Sequence, residues 1–183
     1  MFARTNRLLL RPGWMEDATA LTAALNDPAV ARMTRGIPTP FTLADAEAHI
    51  ARQQDATVPD LLMFARTRGA PRLVGGVGLT GASARKPMLS YWVARDHWGL
   101  GYATEAAAAL VSIAFHGLRI GELQAENFID NPGSERVLRK LGFFPTGLRV
   151  DRPCVARAED VPCQQYRMVS EVTHCGEGHP LAA

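Results

Sequence analysis

Tyr91-Trp92-Val93-Ala94-Arg95-Asp96-His97-Trp98-Gly99-Leu100-Gly101-Tyr102-Ala103-Thr104-Glu105-Ala106 is the stretch from which the fold is read. The run Met88 to Val93 that leads into it predicts a strand. Downstream, Thr104 to Phe115 carries five alanines together with Leu110, Val111, Ile113 and Phe115, which predicts a long helix ended by Gly117 or Gly121. A strand therefore runs into glycines, and the glycines open a helix. Such a turn exposes several backbone N–H groups at a helix N-terminus, where they and the helix dipole favour an anion, typically a phosphate. Gly99, Gly101 and Ala103 are small where a bulky Cβ would block close approach, and Thr104 adds a hydroxyl. On the glycines alone, a tight turn shaped only by backbone geometry is an equal reading, because short glycine motifs match by chance.

Working outward, Arg7 to Arg11 predicts a first strand that stops at Pro12-Gly13, and Glu16 to Leu25 predicts a helix with Ala18, Leu21 and Leu25 on one face. Asn26-Asp27-Pro28 stops that helix, Thr34 to Phe41 is a loop, and Thr42 with Asp45 starts a helix over Ala44 to Gln54. Leu61 to Thr67 and Leu73 to Leu79 predict strands around the turn Arg68-Gly69-Ala70-Pro71. The Gly75-Gly76 pair marks a bend or a close backbone approach. With Met88 to Val93 these strands form an antiparallel meander. Leu123 to Ile129 is a strand, Asn131-Pro132 an N-cap with proline at the first helical position, and Val137 to Leu141 a short helix closed by Gly142. Phe143 to Val150 and Gln164 to Val169 are two last strands with a polar loop between them. The long helix between Met88–Val93 and Leu123–Ile129 is a crossover, so those two strands run parallel. The expected class is α/β (α+β), with a mixed, mostly antiparallel central sheet flanked by helices. One domain covers residues 1–170, and residues 171–183 form a polar C-terminal tail.

The length, 183 residues, suits one domain with a sizeable core. Apolar residues at 47% and charged residues at 21% are the composition of a soluble globular protein. A net charge of +2, with arginines spread along the chain, gives no basic face for nucleic acid. No apolar run reaches the length of a membrane span, and Leu8-Leu9-Leu10 with charged flanks does not read as a signal peptide, so a cytoplasmic location is expected. Cys154, Cys163 and Cys175 are odd in number and lack metal-site spacing; His49, His97 and His116 lack ligand spacing too, so no metal is expected.

The glycine stretch resembles the acyl-CoA-binding motif of the GNAT superfamily of N-acetyltransferases, Q/R-x-x-G-x-G/A, as Trp98-Gly99-Leu100-Gly101-Tyr102-Ala103. The Trp-Gly-x-Gly-Tyr-Ala-Thr-Glu-Ala form is similar to the branch of ribosomal-protein N-terminal acetyltransferases (RimJ/RimL-like). Trp98 stands where many members have Gln or Arg. A second block, Asn131-Pro132-Gly133-Ser134-Glu135-Arg136-Val137-Leu138-Arg139-Lys140-Leu141-Gly142-Phe143, resembles the branch pattern N-x-x-S-x-x-v-l-x-K-x-G-F. The predicted element order fits the GNAT-like acyl-CoA N-acyltransferase fold over all but the tail.

The resemblance implies acetyl-CoA as cosubstrate and transfer of its acetyl group to a primary amine, either a protein N-terminal α-amine or a small-molecule amine. It implies that the strands flanking the long helix splay apart, with pantetheine along Tyr91 to Arg95, among them Val93, Ala94 and Arg95. The pyrophosphate would rest on the N–H groups of Gly99 to Thr104, and Asn131 would bond the pantetheine region. Arg95, Arg136, Arg139 and Lys140 are candidates for the 3′-phosphate. The backbone N–H of Val93 or Ala94 would stabilise the developing oxyanion. The tyrosine acid of many members is replaced here by Leu138, and Ser134 is the replacement acid that the branch implies. A glutamate common in relatives is replaced in Met88-Leu89-Ser90-Tyr91-Trp92; Glu126 and Glu105 are the nearest carboxylates, both read as structural or solvated. That absence leans toward an acceptor of low pKa, since an α-amine titrates at ~8 and lysine at ~10.4. Acceptor identity falls to the loops Thr34–Phe41 and Ser83–Pro87 and the polar segment Arg152–Pro162, and Arg32, Arg35 and Arg85 near those loops hint at an acidic acceptor. Monomer and homodimer are both open. Two other readings stand beside the enzyme: a non-catalytic acyl-CoA-binding or sensor module on the same fold, and a nucleotide-binding enzyme, for which Glu122 lies about 20 residues beyond the glycines.

Overall fold

The structure is a computed structural model that describes residues 1–52, 59–67, 69–81 and 87–170. Its elements are β1 (Ala3–Arg4), β2 (Leu8–Arg11), α1 (Ala18–Leu25), α2 (Pro28–Ala31), α3 (Leu43–Arg52), β3 (Asp60–Ala65), β4 (Arg72–Thr80), β5 (Met88–Val93), α4 (Tyr102–Ser112), β6 (Glu122–Phe128), α5 (Pro132–Leu141), β7 (Phe144–Cys154) and β8 (Glu159–Val169). Residues 53 and 54 of the helix expected over Ala44 to Gln54, Arg68, Arg85, Cys175 and the tail 171–183 lie outside the described residues, as do residues 83–86 of an expected specificity loop.

One eight-stranded sheet has the order β1-β2-β3-β4-β5-β6-β8-β7. All neighbours are antiparallel except β5 and β6, which pair in parallel through the α4 crossover. The mixed, mostly antiparallel architecture expected from the sequence is therefore the one observed. One core lies between the sheet and α4–α5, with Leu8, Leu10, Met63, Val77, Ala106, Ala107, Leu110, Leu123 and Leu138 all at 1% exposure or less. The alanines of α4 let that helix settle close to β4 and β5, where larger side chains would hold it off. A second core lies on the other face, where Leu21, Leu25, Phe41, Ile50, Leu62 and Phe64 pack α1–α3 against the sheet.

Several boundaries differ from the sequence expectation. Asn26-Asp27-Pro28 does stop α1, but Asp27 then accepts N–H bonds from Ala29 and Val30 and starts α2, with Pro28 in the first turn. Proline at that position lacks only an N–H that would be unpaired anyway. Helix α5 begins at Pro132 rather than Val137, because the Asn131 cap is already in place. Helix α4 begins two residues earlier than expected, at Tyr102, and continues through a π turn over Ile113–Gly117.

The largest correction concerns the segment Arg152–Pro162, expected as a polar loop. It is the end of a long hairpin, with Arg152 opposite Val161 and Cys154 opposite Glu159. Its apolar alternation is carried by Cys154, Val161 and Cys163, which form a small core with Phe128. Pro153 is tolerated because β7 is an edge strand.

Candidate functional site

Strands β5 and β6 pair only at Met88–Gln124 and Leu89–Ala125. Beyond that point they diverge, and a cleft of about 900 Å³ opens between Ser90–Val93 and the end of β6. The backbone arithmetic of β5 decides which groups face it. Ala94 N–H donates to Val74 O at 2.9 Å, which puts residues 94 and 74 at a hydrogen-bonded position of the β4–β5 ladder. Antiparallel pairing alternates, so the N–H and C=O groups of Val93 and Tyr91 turn to the opposite edge, toward the cleft. This corrects one expectation: the Ala94 N–H is consumed by the sheet and cannot face an oxyanion, whereas the Val93 N–H can. The Val93 carbonyl is capped by the Trp98 indole, Nε1 to O at 2.7 Å, with the Arg95 guanidinium stacked 4.4 Å from the Trp98 ring centroid.

The glycine turn forms one mouth of this cleft. Gly99 and Gly101 have φ of 77° and 81°, a region where an L side chain is strained. Gly101 is the N-cap of α4, and no side chain caps that end. The first intrahelical bond runs from Glu105 N–H to Gly101 O, so the N–H groups of Tyr102, Ala103 and Thr104 lie ahead of the helical ladder. An uncapped helix start of this kind, lined by glycine, fits a phosphate group. Of the expected cofactor residues, Val93, Trp98, Gly99, Gly101, Tyr102, Ala103, Thr104, Asn131, Ser134 and Arg136 line the cleft, and Lys140 joins them. Ala94, Arg95 and Leu100 do not, and Arg139 is drawn to Glu135 at 2.8 Å along its own helix.

Across the cleft, the Asn131 side chain accepts the Ser134 N–H at 3.0 Å and so fixes the first turn of α5. Ser134 Oγ lies 2.9 Å from the Tyr91 hydroxyl, which also reaches the Ser134 carbonyl at 3.0 Å. Burial pushes the Tyr91 pKa well above its ordinary value, against the opposing effect of the Ser134 bond, so the phenol stays protonated. The sequence expectation named Ser134 as the acid and gave Tyr91 only a place on the pantetheine edge, with no role for its hydroxyl. Leu138, where many relatives carry a tyrosine, is fully buried in the core. Asn127, also on the cleft wall, gives its amide N–H groups to Phe128 O and Asn131 O; its Oδ1 is buried with no partner among the described residues.

The opposite face of the sheet carries different chemistry. Glu126 is 3% exposed at its side chain and is held by Arg35 at 2.8 Å, Arg152 at 2.6 Å and Gln165 at 2.9 Å. Burial alone would raise its pKa, but the bonds from Arg152 and Gln165 and the two guanidinium charges outweigh it and hold the carboxylate below its usual range. Asp130 is likewise taken by Arg157 at 2.8 Å and Arg32 at 3.8 Å. His49 and Asp60, from α3 and β3, line the same half of the cleft with Nε2 and Oδ2 3.8 Å apart. Burial lowers the His49 pKa by more than Asp60 raises it. His49 sits far from any sequence motif, so only the packing of α3 on β3 brings it to the cleft. Among the described residues no cluster of His, Cys, Asp and Glu could hold a metal ion, and no helix is long and apolar enough to cross a membrane.

Two parted strands, an inner edge of backbone donors and an uncapped, glycine-lined helix start at the mouth fit the acyltransferases that draw on a phosphate-bearing thioester. The chain belongs to the GNAT acetyltransferase family: residues 7–144 match the model of the acetyltransferase (GNAT) domain. It is 28% identical to the uncharacterized N-acetyltransferase p20 of Bacillus licheniformis over 156 residues, which covers 80% of this chain and 84% of that relative. Among solved structures, it is similar to a GNAT-family acetyltransferase from Bacillus anthracis, with a TM-score of 0.79 at 21% identity over 92% of this chain and 98% of that one. It is also similar to RimL, a ribosomal L7/L12 alpha-N-protein acetyltransferase in complex with coenzyme A, with a TM-score of 0.77 at 16% identity over 92% of this chain and 98% of that one. The protein is thus an N-acetyltransferase of a family that uses acetyl-CoA.

Proposed function

We propose that this enzyme transfers the acetyl group of acetyl-CoA to an α-amine, such as a peptide N-terminus, by direct attack in a ternary complex. The observation that carries the reading is the divergence of β5 and β6 beyond Leu89–Ala125 beside the uncapped start of α4. The two faces of the sheet divide the work. The glycine turn, Tyr91 and Ser134 lie on the α4–α5 face, the side from which acetyl-CoA enters. Glu126, Asp60 and His49 lie on the α1–α3 face, the side left to the acceptor.

In this reading the Val93 N–H bonds the thioester oxygen as negative charge develops. Ser134 Oγ, positioned by Tyr91, donates a proton to the departing sulfur. Arg136 and Lys140 meet the phosphates at the cleft rim. The preference for an α-amine follows from the committed carboxylates. Glu126 is bound by two arginines and Glu105 by Arg7 and Thr5. Of the other carboxylates that line the cleft, Asp130 is taken by Arg157 and Asp60 stands beside His49, so an amine that is already partly neutral near pH 7 is favoured. His49, held neutral by burial, takes the proton the amine loses.

The test is CoA release with paired peptides, one with a free N-terminus and no lysine, the other with a blocked N-terminus and one lysine. The free α-amine is expected to give the higher kcat/KM; its acid limb combines protonation of the amine itself, at ~8, with that of His49 at lower pH, and His49→Gln removes only the second as it lowers the rate. The base form of His49 is present above its pKa and lost as pH falls through it, so wild-type activity declines on the acid side. Preference for the lysine peptide would overturn the α-amine assignment. The runner-up, an acyl-CoA-binding module without catalysis, would show CoA binding and no release with either peptide.

A further inference from the structure

The N-terminal hairpin, which carries none of the family motifs, grips the phosphate-binding turn from behind. Between β1 and β2 the chain turns at Thr5–Arg7, and three donors of that turn converge on one carboxylate. Thr5 Oγ1 donates to Glu105 Oε1 at 2.5 Å, Arg7 N–H to the same oxygen at 2.7 Å, and Arg7 Nε to Oε2 at 2.6 Å. Arg7 then reaches further: its Nη1 donates to Leu100 O at 2.9 Å, and its guanidinium lies 4.8 Å from the Tyr102 ring centroid. Gly101 is required by its φ of 81°, and a Cβ there would meet Arg7 Nη2 only at an ordinary contact distance of 3.4 Å.

Two physical consequences follow. A carboxylate in the first turn of a helix is attracted to the N–H groups exposed there and would compete with a bound anion. Here the acceptor sites of Glu105 are occupied by Thr5 and Arg7 instead. Second, the C=O and N–H of a trans peptide point in opposite directions. By holding the Leu100 carbonyl on its own side, Arg7 turns the N–H of Gly101 away from itself. Gly101 lines the cleft and Leu100 does not. We propose that Arg7, locked by Glu105 and Thr5, is a positioning residue that aims the Leu100–Gly101 peptide at the pyrophosphate, making the N-terminal hairpin part of the acetyl-CoA site. Its positive charge behind the turn adds to the attraction. This inference rests on the assignment of the glycine turn to the pyrophosphate.

The experiment compares CoA with pantetheine, which lacks the pyrophosphate together with the 3′-phosphoadenosine that it carries. Calorimetry gives Kd for CoA and for pantetheine, and CoA-type thiol release gives kcat and KM for acetyl-CoA and S-acetylpantetheine. Wild type, Arg7→Met and Arg7→Lys are each measured. Lysine keeps the charge but has no planar fork to hold Glu105 and Leu100 together. Both variants are expected to weaken CoA binding and raise KM for acetyl-CoA by about tenfold, with kcat and all S-acetylpantetheine values within twofold of wild type. Should Arg7→Met fail to fold, Arg7→Lys carries the same comparison. Equal losses for both ligands, a fall in kcat alone, or unchanged CoA binding would each overturn the proposal. A wild-type protein that binds CoA no better than pantetheine would overturn the pyrophosphate assignment itself, whatever the variants do.

Discussion

Tyr91 has one proton and two acceptors within reach, the carbonyl and the hydroxyl of Ser134. When the phenol donates to Oγ, the serine proton is left to face the cleft. Tyr91→Phe is therefore expected to lower kcat about fivefold, the value of one hydrogen bond near 1 kcal/mol, with KM for acetyl-CoA unchanged. Ser134→Ala should lower kcat more, by about 10²-fold at most, and the double variant should be no worse than Ser134→Ala alone. Additive losses in steady-state kinetics would show that the two residues act separately. Glu126 makes a different prediction, about stability. Its pKa is depressed in the folded protein, so its contribution is fully present above the unfolded value, about 4.3, and is lost as pH falls through the folded one. Glu126→Gln should cost about 2 kcal/mol at pH 7, and the gap from wild type in urea unfolding should close as pH drops below about 4. A gap independent of pH would contradict the ion-pair account.

At the level of elements, the close strand approach expected from Gly75-Gly76 is present. A Cβ on Gly76 would overlap the Trp92 indole, and one on Gly75 would overlap the Trp92 carbonyl and lie 2.8 Å from Met63 Cε. Gly75→Ala should destabilise the protein by about 1–3 kcal/mol, read by chemical denaturation, because a backbone carbonyl has no rotamer to yield. A second buried tie was not legible in the sequence. Arg11 and Asp17 pair in a fork at 2.6 and 2.8 Å, and the guanidinium lies 3.8 Å from the Trp14 ring centroid and 4.0 Å from that of Phe64. The order of strands and helices apart from β1 and α2, the α4 crossover and the caps at Thr42, Asn131 and Gly142 could be read because each depends on residues within a turn or two of one another. Tyr91 with Ser134, Arg7 with Glu105 and His49 with Asp60 could not, since each pair is made by elements distant in sequence or by a register that the pattern does not specify. The outer end of the β7–β8 hairpin, over Arg152–Pro162, could not be read for another reason: its buried positions are two cysteines and a valine in a polar run.

Across the whole molecule, the sheet is continuous for β1–β5 and again for β6–β8, and the two parts share only the Met88–Gln124 and Leu89–Ala125 rungs. Helices α4 and α5 bridge them on one face. On the α1–α3 side of the cleft, Arg152 and Arg157 of the β7–β8 hairpin reach across to Glu126 and Asp130, and Arg32 and Arg35 reach the same carboxylates from the segment after α2. Acetyl-CoA lying in the cleft would meet the N–H groups of Tyr91 and Val93. Hydrogen exchange at those two amides is expected to slow on adding CoA, along with exchange in the glycine turn. Protection confined to loops on the α1–α3 face would place the ligand elsewhere. The sheet therefore behaves as a zipper left partly undone, with the cosubstrate as its missing teeth: loading the enzyme should stiffen the joint between the two halves, so that the empty and loaded proteins differ less in shape than in how often that joint breathes.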